Sequence, residues 1–215
     1  MPLEIFDYRT DIRNLLVTPH IRSRFLRMEP GQVANRHSHD LGHEIFLILQ
    51  GRAHFEVDGE EAELGPGQLC VARVDEPHQV RVVGDEPMVM YLSVTPHVQP
   101  THTSRTERGE RLPARFAPSS AYDVETDTET PVAELVDCFV EASAQLAESA
   151  AEAAASQKQL GEHMKLALSQ GDGDEASEHR EAMWQGLYGT FQVLHALADQ
   201  WNTLAPRAGT LEARK

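Results

Sequence analysis

Residues Gly31 to Gly51 read GQVANRHSHDLGHEIFLILQG. Five residues separate Gly31 from His37, one separates His37 from His39, four lead to Glu44 and six more to Gly51. Alternate side chains of a β-strand share a face, so His37 and His39 point the same way. Two imidazoles on one face, with a carboxylate returning from the next strand, can converge on one transition metal. Ile45 to Leu49, IFLIL, is a short apolar run that reads as a buried strand, and Gly51 ends it. The stretch predicts a metal site built on a β-hairpin.

Further along, Gly67 leads QLCVARVDEPHQV, and His78, preceded by Pro77, follows Gly67 by eleven residues. Together the two stretches resemble the paired motifs of the cupin superfamily. The first motif is Gly-x5-His-x-His-x3–4-Glu-x6-Gly, and every fixed position of it is filled. The second is a glycine-led strand entry with a third metal-binding histidine eleven residues on. Gln68 stands where an aspartate is usual and Arg73 where a proline is usual; neither is a ligand position. The resemblance covers residues 12 to 96. It implies a cupin-type jelly-roll β-barrel with His37, His39, Glu44 and His78 around one divalent transition metal: iron, manganese, nickel, copper, cobalt or zinc. His43 competes with Glu44 for the fourth place. Glu44 shares strand parity with Phe46 and Ile48, which favours it, whereas His43 faces the other way.

The flanking sequence agrees with a barrel. From His20 to Met28, Arg22, Arg24, Leu26 and Met28 alternate with Ile21, Ser23, Phe25 and Arg27, as on a two-faced strand. After Gly51, Ala53, Phe55 and Val57 form an apolar face opposite His54 and Glu56, and Asp58-Gly59 is a two-residue hairpin signal. LCVARV, HQVRVV and PMVMYLSV follow, each bounded by turn residues. Short, evenly spaced strands predict an all-β sandwich or barrel over residues 1–100. Leu15 to Val17 read as an edge strand.

Residues 101–130 are polar, with several arginines and an acidic, threonine-rich run, and read as a linker or a barrel-hugging extension. Thr130-Pro131 predicts a helix start, with a hydroxyl cap and proline at the first helical position. Apolar residues then recur at helical spacing to about Gln170, and Gly171-Asp172-Gly173-Asp174 breaks the run. Asp172 with Glu175 is a capping-box variant. A second helix carries Met183, Trp184, Leu187, Phe191, Leu194, Leu197, Trp201 and Leu204 on one broad stripe. Residues 131–205 are thus an antiparallel α-helical hairpin. Its apolar surface exceeds what two helices bury against each other. The favoured cover is the same hairpin of a second subunit, giving a homodimer through a four-helix bundle, with packing on the chain's own barrel as the alternative.

The chain has 215 residues, a formal net charge of −15 and two cysteines. Such acidity argues against nucleic acid or an anionic membrane as partner. No apolar stretch approaches the roughly 20 residues that span a bilayer, and the N-terminus lacks the apolar core of a signal peptide. Cys70 and Cys138 are far apart and define no disulfide framework. The expectation is a soluble cytoplasmic protein whose partner is a small molecule.

Two functional classes follow from the resemblance. One is a metalloenzyme acting on a small oxygen-bearing molecule with dioxygenase, isomerase or lyase chemistry. The other is a non-catalytic sensor or carrier that anchors its ligand on the metal. An enzyme calls for a further cation, acid or base inside the barrel, and the candidates are Arg24 and Tyr91. His54 reads as a surface residue. His97 and His102 read as an exposed polar tail, with a lid at the barrel mouth as the alternative. His163, His179 and His195 stand on the helices at no ligand spacing.

Overall fold

In a computed structural model of the protein, residues 3–125 and 127–208 are described. They divide into two compact units: the chain up to Asp127 together with the residues from Ala205, and Thr128–Leu204.

The first unit is a pair of facing antiparallel sheets. The alternating stretch after His20 forms β2 (Ile21–Met28), flanked by the edge strand β1 (Asn14–Thr18) and by β9 (Met88–Thr95). The IFLIL run lies in β4 (His43–Gln50), between β9 and β7 (Leu69–Ala72), so the order of this sheet is β1-β2-β9-β4-β7. The second sheet has the order β10-β3-β8-β5-β6, from β3 (His37–Ser38), β5 (Arg52–Val57), β6 (Glu60–Leu64), β8 (His78–Val83) and β10 (Thr103–Ser104). Asp58 and Gly59 both take positive φ, 49° and 85°, which makes the tight turn between β5 and β6.

The period-two pattern turns Phe46 and Ile48 of β4, Ala53 and Phe55 of β5, Val80 and Val82 of β8, and Met88, Met90 and Leu92 of β9 into one apolar core. Phe46 lies at the edge of that core, its ring 5.2 Å from Phe55 and 5.6 Å from His78. The polar end of the barrel begins there.

The expected metal-motif hairpin is not formed. β3 pairs with β8 and β10, whereas β4 pairs with β7 and β9, so residues 40–42 carry the chain from one sheet to the other. Gly42 makes this crossing possible by close approach: a Cβ there would lie 2.8 Å from the Thr95 carbonyl oxygen. Residues 101–125 belong to the barrel unit, with β10 pairing along β3. Arg105 ties this segment down by donating to Ser38 Oγ at 2.9 and 2.8 Å, to the Gly109 carbonyl at 3.1 Å, and to the Asp75 carboxylate.

The second unit is a helical hairpin of α1 (Val132–Gln170) and α2 (Gly173–Leu204). Facing pairs run in opposite order along the two helices: Phe139 with Trp201, Ser149 with Thr190, Gln157 with Met183, and His163 with His179. α1 begins one residue later than the Thr130-Pro131 reading, because Pro131 keeps an extended ψ of 142° and occupies the cap position itself. Gly171, at φ 75°, closes α1, and Asp172 Oδ1 accepts the Glu175 N–H at 2.9 Å to start α2. Trp184 and Phe191 remain 49% and 50% exposed, with Leu187, Tyr188 and Leu194 on the same stripe.

Candidate metal centre

Four side chains meet where the core ends. His37 on β3 and His78 on β8 are register partners in one sheet, and His39 follows directly after β3. Glu44 enters from β4 in the facing sheet. One ligand atom from each, three imidazole nitrogens and one carboxylate oxygen, all lie within 4.8 Å of one another. Glu44 Oε2 is 2.9 Å from His39 Nε2, 2.9 Å from His78 Nε2 and 3.7 Å from His37 Nε2. His78 Nε2 and His37 Nε2 are 3.2 Å apart.

The outer nitrogens explain why these atoms point inward. His37 Nδ1 donates to the Asn35 carbonyl at 2.8 Å, His39 Nδ1 to the Thr101 carbonyl at 2.5 Å, and His78 Nδ1 to the Glu76 carbonyl at 2.9 Å. A carbonyl oxygen only accepts, so each Nδ1 carries a hydrogen and each Nε2 of a neutral ring presents a lone pair. Three such lone pairs and a carboxylate oxygen facing one point repel unless a cation lies between them. Backbone carbonyls that hold the far nitrogen of each ring are the usual support for a metal-binding imidazole. The donor set therefore fits a divalent transition metal.

Burial shapes the charges. Glu44 is 3% exposed, which alone would raise its carboxyl. Where the facing Nε2 atoms carry protons in place of a cation, hydrogen bonds from His37, His39 and His78 outweigh that and hold it well below the usual carboxylate range, and a metal displaces those protons. Burial lowers His78 below the ordinary imidazole value, partly offset by Glu44. A ligand set of one carboxylate and neutral imidazoles is the form that binds a metal.

His43 takes no part. It is exposed, and its Nδ1 accepts the Val74 N–H at 3.1 Å. His54 pairs with Glu61 at 3.2 Å. Tyr91 also lies away from the cluster: in register it shares its side of the sheet with Phe25, and their rings meet edge to face at 6.2 Å.

His97 and His102 are not an exposed tail. The tail reading fails because their segment folds back as part of the barrel unit. The His102 ring lies 4.8 Å from His37 and 4.9 Å from His39, and burial, then His37 and His39, keep it far below the ordinary imidazole value. His97 is buried against Tyr122, 4.9 Å between rings, and exchanges a hydrogen bond with Thr101 Oγ1 at 2.7 Å. Arg22 completes this wall. Its Nε donates to Asn14 Oδ1 at 2.9 Å, its Nη1 lies 3.5 Å from His102 Nε2, and its guanidinium stacks 4.8 Å above the Tyr122 ring. Asp123, just after Tyr122, accepts the Asn14 backbone and side-chain N–H groups, both at 3.0 Å. A visible sequence signal for this wall was the pair Arg22 and Arg24 on the same strand face as Leu26 and Met28. His102, inside a polar segment without period, carried none.

Residues 24–95 match the family model described as "Cupin domain". Polyketide synthase CurC of Streptomyces cyaneus is 33% identical over 91 residues, which are 40% of this chain, and the chain spans only 59% of that protein's length. Among solved structures, a conserved protein with a double-stranded β-helix domain from Klebsiella pneumoniae subsp. pneumoniae is 22% identical. That match covers 44% of this chain and 91% of the other, with a TM-score of 0.42. KdgF from Halomonas sp. is 22% identical over 41% of this chain and 79% of its own, at a TM-score of 0.39. The Cupin_2 domain of an XRE family transcriptional regulator from Enterobacter cloacae is 20% identical over 39% and 92%, at 0.37. The family match lies on the two sheets that carry the histidines and Glu44, so the part of the chain that is similar to a cupin domain is the barrel.

Proposed function

We propose that the protein is a metal-dependent enzyme that acts on a small oxygen-bearing molecule, with dioxygenase-, isomerase- or lyase-type chemistry. The observation that carries this reading is the convergence of three Nε2 lone pairs on the Glu44 carboxylate, each ring held by a backbone carbonyl. His37, His39, Glu44 and His78 would hold the ion, which supplies a Lewis acid or a redox centre when bound. The chain's own residues do the rest. Phe46 closes the inner side of the cluster and excludes water, while His102 and Arg22 form a polar wall beside it. The name of the Streptomyces cyaneus relative makes oxygen-rich polyketides a substrate class to screen first.

The test is metal content of protein purified without added metal, followed by turnover of such a panel in air and without oxygen. Bound iron or copper with oxygen uptake supports oxygenase chemistry. Zinc or nickel with oxygen-independent turnover supports an isomerase or lyase. A full complement of metal without turnover of any substrate favours the second reading, a metal-anchored sensor or carrier. The half-exposed stripe on α2 favours that reading to the extent that it offers an interface. A second copy of the hairpin is its proposed cover, since an apolar stripe lying on itself across a two-fold axis is self-complementary. The proposed compartment is the cytoplasm, where thiols such as Cys70 and the exposed Cys138 stay reduced. No helix among the described residues is long and apolar enough to cross a membrane.

A further inference from the structure

Two arginines point into the polar end of the barrel with no carboxylate at salt-bridge distance among the described residues. Across the first sheet Arg22 stands opposite Val94, which stands opposite Glu44; Arg24 stands opposite Leu92, which stands opposite Phe46. Residues in register share a face, so both guanidinium groups project to the side that carries Glu44 and the core. Each Cα is about two strand spacings, roughly 10 Å, from its partner on β4. That distance suits an arginine side chain facing the cluster across an intervening ligand.

The two are held differently. Arg22 is 4% exposed and fixed by Asn14, His102 and the Tyr122 ring. Arg24 is half-buried, and its Nε is shielded from solvent with no hydrogen-bond partner among the described residues. Glu44 and Asp123 act on both at a distance, and neither comes within 4.0 Å among the described residues. A divalent ion held by Glu44 and neutral imidazoles would leave the centre positive as well. Burying positive groups of one sign together is costly unless an anion joins them.

We propose that Arg24, backed by Arg22, is an anion subsite at this polar end of the barrel and that the ligand is a small organic acid bound through its carboxylate. A planar guanidinium with an unpartnered Nε can donate two parallel N–H···O bonds to a carboxylate, a pairing that matches the geometry of both groups. The assignment rests on the small-molecule reading of the barrel given above and narrows its ligand to carboxylates.

Malonate and its neutral counterpart malonamide are suitable probes, titrated calorimetrically into the full-length protein, both metal-free and loaded with Mn(II). Wild-type protein is expected to bind malonate and not malonamide. Arg24→Gln should lose at least ten-fold in malonate affinity while keeping its metal content, and Arg24→Lys, which keeps the charge but not the fork, should fall between. Malonate binding to Arg24→Gln within two-fold of wild type overturns the subsite, as does equal binding of malonamide. Should Arg24→Gln fail to fold, the wild-type melting temperature decides. A rise with malonate and none with malonamide at matched ionic strength supports the subsite, and no difference refutes it. The metal-free arm separates the two readings. Arginine-dependent malonate binding in a protein that takes up no metal keeps the subsite and rejects the metal centre, whereas metal uptake without arginine-dependent binding does the reverse.

Discussion

His78 Nε2 and Glu44 Oε2 lie 2.9 Å apart although their strands belong to different sheets. The contact bridges the two layers at the point where the apolar core stops. Four polar side chains so placed would destabilise a barrel unless a cation joined them, which makes metal uptake the first property to measure.

Replacing His37 or His39 by Ala should remove most of the bound metal, and the double variant His37→Ala/His39→Ala should purify metal-free by elemental analysis. The barrel should persist, because its core of Phe46, Ile48, Phe55 and their neighbours does not include the cluster. His43→Ala is the control and should keep wild-type occupancy, since that ring faces away and bonds Val74. Wild-type metal in the double variant would rule out the assignment.

Gly42→Ala should cost about 1–3 kcal/mol and lower metal affinity together, because its Cβ would press on the Thr95 carbonyl and shift the crossing that delivers Glu44. Gly161→Ala should do the opposite. It lies within α1, and a Cβ added there would meet nothing within 4 Å, so helix propensity alone should add up to about 1 kcal/mol. Urea melts of the two variants check both signs.

His97 makes stability pH-dependent. Burial, then Arg22 and His39, lower it to about 4 in the folded protein. Tyr122 and Thr101 are its other neighbours. The folded state thus disfavours the proton that the unfolded chain takes up below about 6.5. Its contribution to stability is complete above pH 6.5 and is lost as pH falls towards 4, on the order of 3 kcal/mol in total. His97→Gln should flatten the difference between urea midpoints at pH 7 and pH 4.5. An unchanged slope would show that His97 is protonated alike in both states.

The hairpin should govern assembly. In light scattering the full-length protein is expected to be a dimer, and Trp184→Ala/Phe191→Ala should weaken it, since truncated buried aromatics cost roughly 3–5 kcal/mol each. A protein ending near residue 127 should be monomeric and still take up metal, because every ligand precedes residue 79. A monomeric full-length protein would refute the bundle.

Much of this molecule is legible in one dimension. Strand alternation around Phe46, Phe55 and Val80 marks the core, because a period of two maps directly onto the two faces of a sheet. The same parity separates Glu44 from His43, and motif spacing picks out His37, His39 and His78. The Gly171 stop and the Asp172 cap are local backbone chemistry, visible wherever such residues occur.

What only the tertiary structure decided depends on contacts between distant residues. The motif looked like a hairpin, yet pairing partners, not sequence neighbours, determine which sheet a strand joins, and β3 and β4 joined different ones. Tyr91 fell on the outer side because its register with Phe25 set its face. His97, His102 and Tyr122 stand in polar sequence without period, and they are covered because their segment folds back on the barrel, with β10 along β3 and Asp123 held by Asn14. Burial of a polar residue is a property of what packs over it, and no local pattern records that. The residues of the cluster were therefore readable from spacing and the arginines beside it from strand parity, while the histidines of the wall emerged only from the fold.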